Sequence, residues 1–271
     1  MKITTLFLLL PTLAIFSCGS DDDDNAPAEN VAGINSYKFY YADHPMGTPQ
    51  GIGQNNVTVY YVNERPVKVA GGFLNMDQAS GFPYVFDTNH YTEVYYLDYR
   101  ATIINKLNST TSTVAENKQI IGFTFDGKMG NKIIFDDNSQ SSDTIDYHYE
   151  NNLLKAFFRY NRRLKEQSVV FYDARQNVDS IVTRYPSFDG DQWHFDPESS
   201  DRKVRSFTNY DDTANPFKPL MIFDETFHRS LSKNNYAKWE EKVYDYDGHI
   251  IGGSFMEWTF IRENGMINFA L

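Results

Sequence analysis

Few residues in this sequence are placed to do chemistry by themselves. Ser17-Cys18-Gly19-Ser20-Asp21-Asp22-Asp23-Asp24 sets the only cysteine beside four consecutive aspartates. A thiol among carboxylates reads first as a nucleophile or a metal site. Ser230-Leu231-Ser232-Lys233 is a Ser-x-x-Lys string, but the Ser-Asp-Asn and Lys-Thr-Gly partners of the serine acylases are absent. Gly252-Gly253-Ser254-Phe255-Met256 lacks the second glycine that a nucleophile elbow needs. The six histidines are scattered singly, without a His-Glu-x-x-His helix, and no phosphate-binding glycine loop occurs. Asp245-Tyr246-Asp247-Gly248 matches part of a calcium loop, yet Val243 and Ser254 stand where its first and last ligands belong. A hairpin turn explains those residues better. No metal and no cofactor is expected. Carboxylate pairs for glycoside hydrolysis must lie about 5–9.5 Å apart in space, which sequence alone does not decide. Flat side chains remain. Trp193, Trp239 and Trp258 are candidates for stacking on sugar rings, and Asp189-Gly190-Asp191-Gln192-Trp193-His194 joins an indole to hydrogen-bonding groups. The competing reading is that strand aromatics pack in the core.

The surroundings of Cys18 give it a different role. Met1-Lys2 is a short positive start, and residues 3–16 are mostly apolar. That run falls short of the roughly 20 residues needed to span a bilayer and suits the apolar part of a secretory signal. Ile15-Phe16-Ser17-Cys18 resembles the lipobox of bacterial lipoproteins. The resemblance implies cleavage before Cys18, lipidation of its thiol and a membrane anchor; two or more acyl chains hold stably where one does not. Ser20, Asp21, Asp22, Asp23 and Asp24 resemble the acidic export tag of Bacteroidetes lipoproteins, which implies the outer membrane with the protein facing the exterior. A solvated acidic spacer is the plainer reading of the same residues. The expected organisation is a signal peptide over residues 1–17, a lipidated, acidic and flexible segment over 18–33, and an ectodomain over 34–271.

The elements of that ectodomain read as strands. Aromatic residues make up 16% of the chain, a strand-favouring composition. Residues 56–62 alternate and turn at Asn63-Glu64-Arg65-Pro66; residues 118–125 turn at Asp126-Gly127; residues 144–149 turn at Glu150-Asn151-Asn152; residues 167–172 turn near Ala174-Arg175-Gln176-Asn177. Leu153, Phe157, Tyr160 and Leu164 fit helical spacing, but Leu154, Ala156, Phe158 and Tyr160 alternate and follow a turn, so a strand is expected there. An aromatic-x-aromatic-acid unit recurs at Tyr84-Val85-Phe86-Asp87, Phe123-Thr124-Phe125-Asp126, Tyr147-His148-Tyr149-Glu150 and Tyr244-Asp245-Tyr246-Asp247, with a variant at Phe171-Tyr172-Asp173. Each copy is one hairpin, the acid supplying the turn. These units resemble the YD-type repeats of bacterial surface proteins. With Tyr210-Asp211, Asn215-Pro216-Phe217-Lys218 and Leu231-Ser232-Lys233-Asn234-Asn235, they resemble a group of Bacteroidetes lipoproteins that has no agreed activity. Leu220, Phe223, Phe227 and Leu231 place one apolar face on a short helix near residues 219–231, which Pro219 opens. The fold expected is a mainly β, antiparallel hairpin meander with that one helix.

The net charge of −11 repels a phosphate backbone and excludes nucleic acid as a natural partner. The functional expectation is a surface lipoprotein of the outer membrane with a non-enzymatic binding or structural ectodomain, directed at a glycan or a partner protein. The alternative is a carbohydrate-active hydrolase whose carboxylates meet only in the fold.

Overall fold

Paired strands flank the turns expected at residues 63–66, 126–127, 150–152 and 174–177, whereas Asp87 of the Tyr84-Val85-Phe86-Asp87 unit lies inside one strand, Tyr84–Leu97, and makes no turn. In a computed structural model, the described residues are 33–42, 55–75, 84–107, 118–135, 142–188, 193–194 and 201–271, all within the unit Val31–Leu271. Cys18, Ser20, Asp21, Asp22, Asp23 and Asp24 lie outside them. The strands run β1 Ser36–Lys38, β2 Asn56–Val62, β3 Arg65–Asn75, β4 Tyr84–Leu97, β5 Arg100–Leu107, β6 Lys118–Phe123 and β7 Met129–Phe135. They continue as β8 Ser142–Glu150, β9 Leu153–Asn161, β10 Arg163–Tyr172, β11 Val178–Arg184, β12 Ser187–Phe188, β13 Trp193–His194, β14 Arg202–Tyr210, β15 Tyr236–Tyr244 and β16 Ile250–Glu257. The short pair β17 Arg262–Glu263 and β18 Met266–Ile267 follows. Fourteen of these strands form one antiparallel sheet in chain order, with β12 and β13 as a small separate hairpin between β11 and β14.

The turns are of two kinds. Asn63 and Glu64 have φ of 50° and 63°, and Asn151 and Asn152 have 49° and 62°; two left-handed residues in succession match the twist of a tight hairpin. The longer turns start at Thr124, Asp173 and Asp245. In each, the carbonyl of the first residue accepts a hydrogen bond from the fourth, at 3.0, 3.0 and 3.1 Å. The fourth residue, Gly127, Gln176 or Gly248, has positive φ. The first side chain then accepts the N–H four residues on: Thr124 Oγ1 from Lys128, Asp173 Oδ1 from Asn177 and Asp245 Oδ1 from His249. This corrects the expected alignment. Asp126 and Asp247 sit third in their turns, and Glu150 precedes a two-residue turn, because only the first position reaches that closing N–H.

Between β14 and β15 the chain leaves the sheet. The single helix expected near residues 219–231 is present as two 3₁₀ turns, Lys218–Leu220 and Asp224–Thr226, followed by α1, Phe227–Leu231. Leu220, Phe223 and Leu231 are buried as their spacing implied. This insert touches strands far apart in the sheet. Phe217 meets Tyr37 of β1 at 5.2 Å between ring centres. Asp224 takes hydrogen bonds from Gln119 of β6 and Lys132 of β7. Phe227 packs on Tyr147 of β8 and Phe157 of β9. His228 meets Arg205 of β14. Fourteen strands at about 4.8 Å spacing would span roughly 60 Å if flat. A segment wound into helical turns reaches far less, at about 1.5–2 Å per residue. The sheet therefore curls around the insert, and its inner face is the core.

The motifs that carried the family resemblance anchor this insert. Asn215 is fully buried: its Nδ2 donates to the carbonyls of Arg229 (2.6 Å) and Ser232 (3.0 Å), and its Oδ1 accepts the Phe217 N–H. Asn234 exchanges hydrogen bonds with Asn177, and Asp211 Oδ1 accepts the Asn235 N–H. The Asn-Pro-Phe-Lys and Leu-Ser-Lys-Asn-Asn strings are thus two ends of one polar clasp that satisfies buried backbone.

Candidate functional site

The curled sheet buries two of the three tryptophans. Trp239 is 1% exposed and Trp258 is 6% exposed. Trp239 stands opposite Phe207 in the β14–β15 register, with the Arg205 guanidinium 4.8 Å from its ring centre. Trp258 donates through Nε1 to the Tyr40 carbonyl and packs beside Tyr41 and Tyr236. The expected stacking platform is therefore corrected at both positions: their faces are already covered by core side chains. Trp193 pairs with Phe188 in the β12–β13 hairpin, its side chain lies outside the described part, and so do residues 189–192. The Ser-x-x-Lys string is structural. Ser230 is buried and donates to the Phe227 carbonyl, while the Ser232 hydroxyl accepts the Val178 N–H. Asp245, Asp247 and His249 gather possible ligand atoms within 4.8 Å of one another, but Asp245 is engaged by its own turn and the group is exposed.

Exposed flat faces occur instead at one end of the sheet, where three turns meet. The β2–β3 turn brings Glu64, Arg65 and Pro66, the β4–β5 turn brings Asp98 and Tyr99, and the β6–β7 turn brings Phe125. They line a cleft of about 390 Å³, whose floor is Met129 with Met221 and Ile222 of the insert. Two ring pairs form its walls. Tyr96 and Phe123 stack at 6.5 Å and 24°, and Tyr99 and Phe125 sit at 6.2 Å and 31°. Arg65 lies 5.3 Å over the Tyr96 ring. Tyr96 is fixed by its hydroxyl, which donates to the Pro66 carbonyl at 3.1 Å, and burial pushes that phenol up to about 12. The outer pair is open: Tyr99 is 55% exposed and Phe125 is 93% exposed. A phenylalanine held almost wholly in water at the tip of a turn gives no packing return to the fold, whereas a ring-bearing ligand would cover it. The cleft falls in the size range of small-ligand sites.

In the sequence, Phe123 and Phe125 read as parts of a repeat unit and carry no ligand signal of their own. The available signal was position, since Phe125 stands in the turn itself, where cross-strand packing has no use for an aromatic ring.

A second, smaller cavity of about 160 Å³ lies on the inner face between β10 and β15, against α1. The register aligns Ser168 with Thr183 and Thr183 with Lys203, and in the next row Ile181 with Arg205 and Arg205 with Glu241. Arg205 donates to Glu241 Oε2 through Nε at 3.0 Å and through NH2 at 2.7 Å. Its NH1 lies 2.8 Å from His228 Nδ1, which acts as acceptor toward the guanidinium. Ser168 and Thr183 share a hydroxyl hydrogen bond of 2.7 Å. Burial pushes the Glu166 carboxyl up, only partly offset by Arg159 and Lys203, and burial pushes the Tyr185 phenol up to about 12.

No protein-family model matches the chain, and no curated protein matches it. Among solved structures, a porin-like protein from Bacteroides uniformis aligns with a TM-score of 0.45 and 12% identity, over 79% of this chain and 86% of that one.

Proposed function

We propose that the chain is a lipid-anchored protein of the outer membrane, facing the exterior, whose β-rich ectodomain binds a glycan or a partner surface without catalysis. The aromatic cleft carries the reading. Tyr99 and Phe125 offer two exposed faces to a sugar ring's C–H surface, and Glu64, Arg65 and Asp98 stand at the rim to meet its hydroxyls. Glycan-array binding with isothermal titration of any hit tests it. Phe125→Ala and Tyr99→Ala are each expected to weaken binding at least tenfold, about 1.4 kcal/mol, with unfolding transitions unchanged because both rings already face water. Silence against every polysaccharide, or full affinity in Phe125→Ala, overturns the glycan reading. The same titrations decide the alternative, because shortened glycan products would mark a hydrolase.

The anchor rests on Cys18 and the export on Asp21, Asp22, Asp23 and Asp24. Cys18→Ala is expected to release the protein from the membrane fraction. Alanine at all four aspartates is expected to leave it membrane-bound but protected from protease added to intact cells. Continued shaving of that variant by external protease would remove the acidic run from any export role.

A further inference from the structure

The inner-face cavity between β10 and β15 contains hydrogen-bonding groups that the fold itself does not use. Glu241 is 6% exposed, and both Arg205 bonds go to its Oε2. Its Oε1 accepts no hydrogen bond among the described residues; Lys203 Nζ stands 3.7 Å away, beyond hydrogen-bond range. Glu166 and the Tyr185 hydroxyl line the same cavity, and neither makes a hydrogen bond or ion pair among the described residues. Phe157 and Ile181 supply an apolar floor. Glu166 and Tyr185 are half-buried and Glu241 is buried, so these unengaged groups face one hollow, where a ligand rather than the fold can meet them.

The lining narrows what that partner is. Lys203 and Arg205 oppose a cation, while Glu166 and Glu241 oppose an anion, so a charged ligand meets its own sign on one wall. A hydroxyl suits both walls, because it donates to Glu241 Oε1 and accepts from Lys203 Nζ at once. A second hydroxyl can meet Glu166 and Tyr185 in the same way. About 160 Å³ holds roughly five waters' share of liquid, or one small ring. We propose that this cavity is a binding site for a single neutral, polyhydroxylated ring, a monosaccharide or cyclitol, held by Lys203, Glu241, Glu166 and Tyr185 over Phe157. The site stands apart from the aromatic cleft, sharing none of its lining residues.

Titration calorimetry of the full chain with D-glucose, D-galactose, D-mannose and myo-inositol tests the proposal, with glucosamine and glucuronate as charged probes. At least one neutral probe is expected to saturate the protein, and both charged probes to bind at least tenfold more weakly than it. Tyr185→Phe and Glu166→Gln remove only idle groups. Each is expected to lower affinity at least fivefold while leaving the unfolding midpoint of the free protein in place. Lys203→Met is expected to lower affinity at least tenfold. Phe125→Ala is expected to leave this binding intact, which separates the cavity from the cleft. The proposal fails if no neutral probe saturates at about 100 mM, if a charged probe binds as well as the best neutral one, or if binding survives both Tyr185→Phe and Lys203→Met. It also fails if Phe125→Ala abolishes binding, since the ring would then occupy the cleft.

Discussion

Arg229→Ala is expected to lower the stability of the ectodomain by about 3–5 kcal/mol, the largest single loss in the molecule. Arg229 follows the start of α1 and is completely buried. Its Nε donates to the Tyr41 carbonyl at 2.8 Å and its NH1 to the Tyr236 carbonyl at 3.2 Å. Four rings surround the guanidinium, with Tyr236 at 4.0 Å, Trp258 at 4.6 Å, Phe217 at 5.5 Å and Tyr41 at 5.6 Å. A desolvated cation among ring faces gains more than an exposed one. Truncation removes that gain, leaves two buried carbonyls short of a donor and opens a void between the rings. It also cuts a tie between the N-terminal segment, the insert and β15. Lysine is expected to recover little. Its ammonium has no planar fork to serve two carbonyls while lying flat against rings. Urea unfolding followed by tryptophan fluorescence measures the change, with the midpoint falling and the slope staying constant. A loss below about 1 kcal/mol, or full rescue by Arg229→Lys, would show that the cage does not depend on the guanidinium.

The same residue shows which parts of this molecule were legible beforehand. Strands and hairpins were readable because their signals are local: Asn63-Glu64 and Asn151-Asn152 carry the left-handed turn, and alternation marks the flanking strands. The short helix was readable from four apolar residues, though the chain breaks it into separate turns. Which face of a strand points inward was not readable, because the usual polarity is reversed in places. On the strands, Lys132, Arg205 and Glu241 are buried, while Leu97 and Phe255 are among the most exposed apolar side chains. An inner face that receives a charged insert must carry charge itself, so Trp239 and Glu241 on one strand both point in. The partners are also remote along the chain, as with Gln119 and Lys132 on Asp224 or Tyr41 on Arg229. No window of sequence contains both members of such a pair. The aromatic cleft escaped for the same reason, since its three turns converge only once the meander has curled.

Asp224→Asn tests the inward-facing charge directly. The Lys132 side chain is 2% exposed, and its Nζ donates to Asp224 Oδ1 at 2.6 Å, with Gln119 Nε2 at 2.9 Å from Oδ2. Burial opposes ionisation of Asp224, but the Lys132 charge and the hydrogen bonds from Lys132 and Gln119 together outweigh it, holding the carboxyl below its usual range. Neutralising Asp224 strands an ammonium inside the sheet. Breaking a buried pair from one side costs about 3–5 kcal/mol; because the Asp224 side chain is itself 56% exposed, the expected loss sits at or just under the bottom of that range, about 2–3 kcal/mol. Lys132→Met in the Asp224→Asn background is expected to restore much of it, since no uncompensated charge then remains. The sign with pH follows from the lowered carboxyl. Its contribution is complete above the unfolded value of about 3.9 and disappears as pH falls through the folded value. The gap between the wild-type chain and Asp224→Asn is therefore expected to be widest at neutral pH and to close on acidification. Urea midpoints measured from pH 7 down to about pH 3 would show it. A gap that stays constant over that interval would mean that Asp224 holds Lys132 by shape and hydrogen bonding rather than by charge.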